Sequence, residues 1–278
     1  MKNIDTGAVK LKMRALFVTW IILTAWPAEA FGQNITGARA AGLGQAVTAL
    51  PDNVWSAFQN PAMLPAQGRH VSLFSIRYYG ISELTDAALS GVYATGYGSL
   101  GVGLHSYGFD LYRESQFRLA YMRAFDNYRM GATLRYQHVS IEGYGSAGSP
   151  ALDIGFAMNL AEGLWLGART SNLSRSTIGE AGEELPRELV IGLSYALSGR
   201  VLLVSDLFKD VRFPFSYRGG VEVDALEDIL QVRGGVSTEP TTFSLGFGLN
   251  RMFWSVSLAA QHHEWLGWSP GVGLNSTW

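Results

Sequence analysis

The chain alternates. From 242 to 250, Phe243, Leu245, Phe247 and Leu249 fall on one parity, and Thr242, Ser244, Gly246, Gly248 and Asn250 on the other. Successive strand side chains point to opposite faces, so this run reads as a β-strand with one apolar face and one small, polar face. The pattern returns at 252–261, where Met252, Trp254, Val256 and Leu258 oppose Phe253, Ser255, Ser257, Ala259 and Gln261. It returns again at 189–198 and 152–160. Each run holds about nine to eleven residues, the length a tilted strand needs to cross a hydrocarbon layer.

Read through in this way, the chain yields about fourteen strands. Their spans are 71–79, 86–95, 99–107, 115–124, 128–140, 151–160, 164–172, 188–197, 201–208, 215–224, 229–237, 242–250, 252–262 and 268–278. The first three alternate least cleanly. An even count brings both ends of a barrel to the same side. Connections after even strands are short, such as Gly96-Tyr97-Gly98 and Ser198-Gly199-Arg200. Those after odd strands are generally longer: 108–114, 141–150, 173–187 and 263–267. Short turns on one side and long loops on the other predict an all-β, transmembrane, antiparallel up-and-down barrel. A soluble sandwich has no reason to alternate loop length in this way.

With the apolar parity toward lipid, the lumen receives the other parity. That assigns Arg118, Arg129, Arg135, Arg169, Arg218 and Arg233 to the interior, with Asp153, Asp206, Glu222 and Asp224. A charge on the lipid face near the midplane costs about 2–4 kcal/mol, so their segregation supports the assignment. The expected role is ion pairing that ties strand to strand and plug to wall. Arg123 falls on the wrong parity but at a strand end, where the cost is small. Tyr195, Trp254, Trp268 and Trp278 are candidates for interfacial belts, whereas Trp165 has the inward parity.

Cysteine is absent, which excludes disulfides and thiolate metal sites. A formal net charge of −2 gives no electrostatic case for nucleic acid. The glycine pattern at Gly42-Leu43-Gly44 follows no strand and lacks the third small position, so no dinucleotide fold is expected. His262-His263-Glu264 would put neighbouring residues on opposite faces of a strand, and no metal or other cofactor is expected there. Residues 1–30 read as an export signal: Lys10, Lys12 and Arg14, a short apolar run over 15–26, and Ala28-Glu29-Ala30 as the cleavage site. Met13-Arg14 followed by that run is already a complete signal, so translation is expected to start at Met13.

One stretch does not alternate. Between 37 and 65 the first half is small residues, which let backbones approach closely. The second half reads as a short helix over 54–58, capped by Asp52 and stopped at Asn60-Pro61. Such a compact segment ahead of a barrel is the natural plug. The expected organisation is a signal at 1–30, a plug at 31–67 and a barrel at 68–278.

This stretch also resembles the N-terminus of the FadL/PorV superfamily of outer-membrane barrels. The resemblance is carried by Gly37-Ala38-Arg39-Ala40-Ala41-Gly42-Leu43-Gly44, by Ala49-Leu50 with Asp52, and by Asn60-Pro61-Ala62 with Leu64. Gln45 and Asn53 depart from the usual pattern. The resemblance implies a bacterial outer-membrane location and one of two activities. FadL-like members pass small hydrophobic molecules inward with the plug as gate. PorV- and PorQ-like members serve type IX secretion with exported proteins as partners. Either way Gly37, Arg39, Gly42, Gly44, Asp52, Asn60, Pro61 and Ala62 are the plug or gate residues, and none of them is catalytic. Trp278 closes a strand whose ending resembles the C-terminal sorting pattern read by the barrel-assembly machinery. A third reading rests on His138 and Ser140, which share the lipid-facing parity near the long-loop end. They look like the His-x-Ser of outer-membrane lipid hydrolases, with Glu142 as a third member. A lone His-x-Ser is a frequent coincidence, and no enzyme is expected.

Overall fold

The computed structural model describes residues 37–226 and 229–278. The expected export signal, the Met13 start and residues 31–36 of the expected plug lie outside the described residues. Fourteen strands close into one antiparallel barrel. They are β1 (Arg69–Arg77), β2 (Thr85–Thr95), β3 (Gly98–Phe109), β4 (Tyr112–Ala124), β5 (Tyr128–Ile141), β6 (Gly145–Ala161) and β7 (Leu164–Thr170), followed by β10 (Glu188–Leu197), β11 (Val201–Asp210), β12 (Phe215–Leu226), β13 (Leu230–Thr238), β14 (Thr241–Arg251), β15 (Trp254–His263) and β16 (Gly267–Thr277). Each pairs with its sequence neighbour, and β1 pairs with β16 to close the ring, with Leu73 opposite Leu274. Closure leaves no free sheet edge, which a barrel in hydrocarbon requires.

The alternation sets the register. On β14, Thr242, Ser244, Gly246 and Gly248 turn inward and are buried, while Phe243, Leu245, Phe247 and Leu249 turn outward and are exposed. A one-residue slip would reverse every one of them. The outward face is a belt of large apolar side chains, among them Leu119, Leu134, Ile191 and Leu258. Trp254, Trp268 and Trp278 also point outward. Trp165 points inward, as its parity requires, and lies under the Arg129 guanidinium at 4.6 Å.

Two of the expected long loops are not loops. β3 and β4 are joined by Asp110-Leu111 alone, and β5 and β6 by Glu142-Gly143-Tyr144. The ladder continues past the apolar belt, with Ile141 still opposite Gly145. Beyond the hydrocarbon an outward residue need not be apolar, so the sequence loses its period there while the hydrogen bonds persist. The segment between β7 and β10 is a true loop. It carries a two-stranded hairpin, β8 (Thr177–Ile178) with β9 (Glu183–Glu184). Ile178 and Leu185 of this loop bury against Ala151, next to Val139 and Ala147.

The belt makes one direct prediction. Leu119→Arg places a charge halfway along β4 on the outward face, where Leu119 is 45 % exposed. It is expected to lower stability by about 2–4 kcal/mol in equilibrium unfolding of the bilayer-inserted protein. Arg123→Leu, at the end of the same strand, should be close to neutral.

Candidate functional site

The segment from Gly37 to Gly68 winds against the inward faces of the strands. Its regular elements are short: α1 (Ala38–Gly42) and two 3-10 turns, Val54–Ala57 and Pro61–Met63. Nearly all of it is buried, with Ala41, Leu43, Ala46, Ala62, Met63 and Leu64 at 0 % exposure. Its capping differs from expectation. The cap of the first 3-10 turn is Asn53, whose side chain accepts the Trp55 N–H at 3.2 Å. Asp52 instead adopts positive φ, and its carboxylate accepts the Ala66 N–H and pairs with Arg129 at 3.0 Å. Asn60-Pro61 does more than end a helix. Asn60 caps the second turn by accepting the Ala62 N–H at 3.1 Å, with proline at the first turn position that needs no donor.

This segment lies against the wall backbone to backbone, and inward-facing glycines make the room. A Cβ at Gly131 would lie 2.5 Å from the Pro61 carbonyl carbon, and one at Gly220 would lie 2.6 Å from Leu43 O. Gly155 faces Asn60, Gly167 faces Thr48 and Gly235 faces Gly44 in the same way. Gly42 fits against Gly246, whose Cα would be 3.1 Å from an added Cβ. Glycine therefore recurs on the inward parity of strands all round the ring.

A buried non-strand backbone must find hydrogen bonds, and here the wall supplies them. Ser90 Oγ donates to Val54 O at 2.6 Å, Ser99 Oγ to Pro65 O at 2.5 Å and Ser194 Oγ to Ala49 O at 2.7 Å. Gln261 Nε2 donates to Ala41 O at 3.1 Å. Asp206 Oδ2 accepts the N–H groups of both Val47 and Thr48 at 3.0 Å. Asn60 Nδ2 donates to Thr48 O at 2.7 Å and to Phe156 O at 3.1 Å, tying two parts of the plug to β6.

Six of the ten interior charges anticipated from parity fall into three groups. Arg39 of the plug reaches Glu222 with two bonds, at 2.6 and 2.8 Å, and Arg233 reaches the same carboxylate at 2.5 Å. Arg118 lies 3.3 Å and Arg135 lies 3.8 Å from Asp153, and Arg118 also points at the carbonyls of Ala57 and Phe58. Arg169 pairs with Glu188 at 2.6 Å. Arg218 stands over the Phe208 ring at 3.9 Å, and Asp224 lies on the inward parity toward the short-turn end of β12. Arg39, Asn53 and Trp55 form one side of a polar cavity of about 250 Å³. Gln231, Arg233, Asn250, Ser257 and Asn275 form its other side, near the short-turn ends of β13 to β16.

Sequence reasoning missed a pair. Asp86 and His105 meet at 2.6 Å with their side chains 1 % and 0 % exposed, and Phe58 of the plug packs edge-on against His105. They lie in the strands whose alternation is weakest. There the inward parity also carries Phe74, Ile76, Ala88 and Val92, which pack with Trp55 and Phe58 of the plug. His138 and Ser140 do face outward together, opposite Ser115 and Arg113. Among the described residues no hydrogen bond joins either to a carboxylate, and Glu142 is exposed in the turn beyond.

No family model and no curated protein matches the sequence. The solved structures give a clear answer on architecture. The CymD monoaromatic hydrocarbon channel superposes with a TM-score of 0.65 at 13% identity, covering 87% of this chain and 97% of its own. The fold is FadL-like. The toluene transporter TbuX of Ralstonia pickettii matches with a TM-score of 0.63 at 12% identity, covering 87% of this chain and 98% of that one. A FadL homologue of Pseudomonas aeruginosa matches at 0.58 and 12% identity over the same shares. The FadL-like barrel seen here thus accounts for nearly the whole length of its structural neighbours.

The plug seat yields a test. Glu222→Gln strands the Arg233 guanidinium, which is 3% exposed on its side chain, without its carboxylate. A loss of about 3–5 kcal/mol is expected, as for a broken buried pair. Gly131→Val should act locally instead, pushing the Pro61 turn off the wall and exposing the segment to limited proteolysis while the barrel stays folded.

Proposed function

We propose that this protein passes small hydrophobic molecules across a bacterial outer membrane, with the segment from Gly37 to Pro65 as the gate. The reading is carried by one observation: a FadL-like barrel whose lumen is occupied by a separate segment that no strand requires for its own pairing. Gly37, Arg39, Gly42, Gly44, Asp52, Asn60, Pro61 and Ala62 belong to that gate. Arg39 and Asp52 hold it by ion pairs to Glu222 and Arg129. Asn60 holds it by hydrogen bonds, and the glycines let it lie close. The hydrocarbon channels and toluene transporters with the same architecture support an apolar cargo. In this reading the plug shifts as a unit, because its turns are bonded to one another through Asn60 and Thr48.

The absence of cysteine allows a clean test. A Cβ at 273 would lie 3.2 Å from Ala38 Cβ, near bridging distance for a disulfide. Ala38→Cys with Gly273→Cys, oxidised, locks the gate to the wall. Toluene uptake into liposomes holding the locked protein is expected to fall to the level of empty liposomes and to return on reduction. Equal uptake in the locked and reduced forms overturns the gate. Absence of uptake in both forms overturns the transport reading.

A further inference from the structure

The outward belt has a notch. On β1 to β4 one cross-strand row presents Ser75, Ala87, Ser106 and Ser115, each directly opposite the next, and His138 of β5 continues it. One row nearer the midplane the side chains are large, as at Leu104 and Phe117. At a similar remove from the short turns other strands present Leu189, Tyr217, Phe243 and Trp268, all exposed. Four neighbouring strands thus carry small residues where β10, β12, β14 and β16 carry bulky ones. The result is a depression of about 610 Å³ on the outside of the barrel, floored by that row. The inner side of the same wall stays sealed, with every residue from Asp86 to Thr95 paired to β3.

Position and chemistry indicate what lies in it. Ser106 is well along β3 from Gly98, about 20 Å above the short turns at ordinary strand rise and tilt. That is near the outer rim of a belt about 25 Å tall, where acyl chains meet headgroups. From Ser75 to His138 the floor crosses four strand spacings, about 19 Å, the reach of a long acyl chain. The next row outward carries Arg77 and Arg113. Asp110 takes one N–H of Arg113 at 3.4 Å, but that arginine remains 53% exposed. A groove for a chain beneath an exposed arginine suits a single kind of occupant.

We propose that this notch seats one outer-leaflet lipid with a net anionic phosphate headgroup, its acyl chain along the Ser75–Ser115 floor and its headgroup at the β4–β5 end against Arg113 and His138. Small residues let the chain approach the backbone closely, as they do at helix contacts in membranes. The seat is independent of the passage through the lumen and rests only on the barrel lying in a bilayer with its long-loop end outward.

The test is native mass spectrometry of the full chain, refolded in detergent and titrated with phosphatidylglycerol or phosphatidylcholine. The wild type is expected to retain one phosphatidylglycerol, preferred about tenfold over phosphatidylcholine. Ser106→Leu with Ser115→Leu fills the groove and should cut retention of both lipids at least about tenfold. Arg113→Gln should erase the headgroup preference while chain retention stays. Ala87→Leu alone, with folding checked by the heat-dependent gel shift of intact barrels, gives the same reading if the double variant does not fold. Unchanged retention in the filled variants overturns the proposal. So does a dimer mass that the same substitutions abolish, which would assign the notch to a second barrel.

Discussion

Everything in this structure answers to the need to satisfy a buried, irregular backbone inside a closed ring of strands. A strand wall saturates its own N–H and C=O groups. A plug of short turns cannot, and each of its buried polar groups needs a partner. Serines 90, 99 and 194, Gln261 and Asp206 provide those partners from the wall. Inward glycines at 131, 155, 167, 220 and 235 provide the closeness that makes the bonds possible. The inward face of the barrel is therefore matched to one particular segment, down to the carbonyl.

The same constraint explains the charges. Ions inside a barrel face a plug that excludes most water, so each must be paired or stay near solvent. Glu222 joins a wall arginine to a plug arginine, and Arg39 keeps 35 % of its side chain exposed on the polar cavity. Asp153 sits between two arginines that project from directly opposed positions on β4 and β5. The Arg39–Glu222 pair fixes the plug relative to the wall, whereas the Asp153 group ties β4, β5 and β6 together.

Much of this was legible in the residues. The strands came from periodicity because each is half in hydrocarbon and half in a polar lumen, the condition that makes alternation sharp. Parity pointed to Asp153, Asp206 and Glu222 but not to Asp86, Glu114 or Asp210, which are buried as well. Legibility failed in two places, for opposite reasons. In β1 to β3 both faces carry small or apolar groups, since Phe74, Ala88 and Val92 pack on the plug and Ser75, Ala87 and Ser106 line the outer notch. The period fades, and with it the Asp86–His105 pair. Past Ile141 and before Gly145 the strands leave the hydrocarbon, so nothing demands an apolar outward face and the ladder runs on unsignalled.

By itself the sequence determined the class of object: a ring of strands about a bilayer thick, apolar outside, charged inside, preceded by a segment that is not a strand. Alternation suffices for that because strand geometry is local and the two solvents are different. Only the tertiary structure decided which plug residue meets which wall residue. Asp52 holds Arg129 and the Ala66 N–H instead of capping a helix, Arg39 chooses Glu222 among the interior acids, and Gly131 opens toward Pro61. Those choices depend on where a segment lies when strands far apart in sequence close around it. No local period encodes that distance.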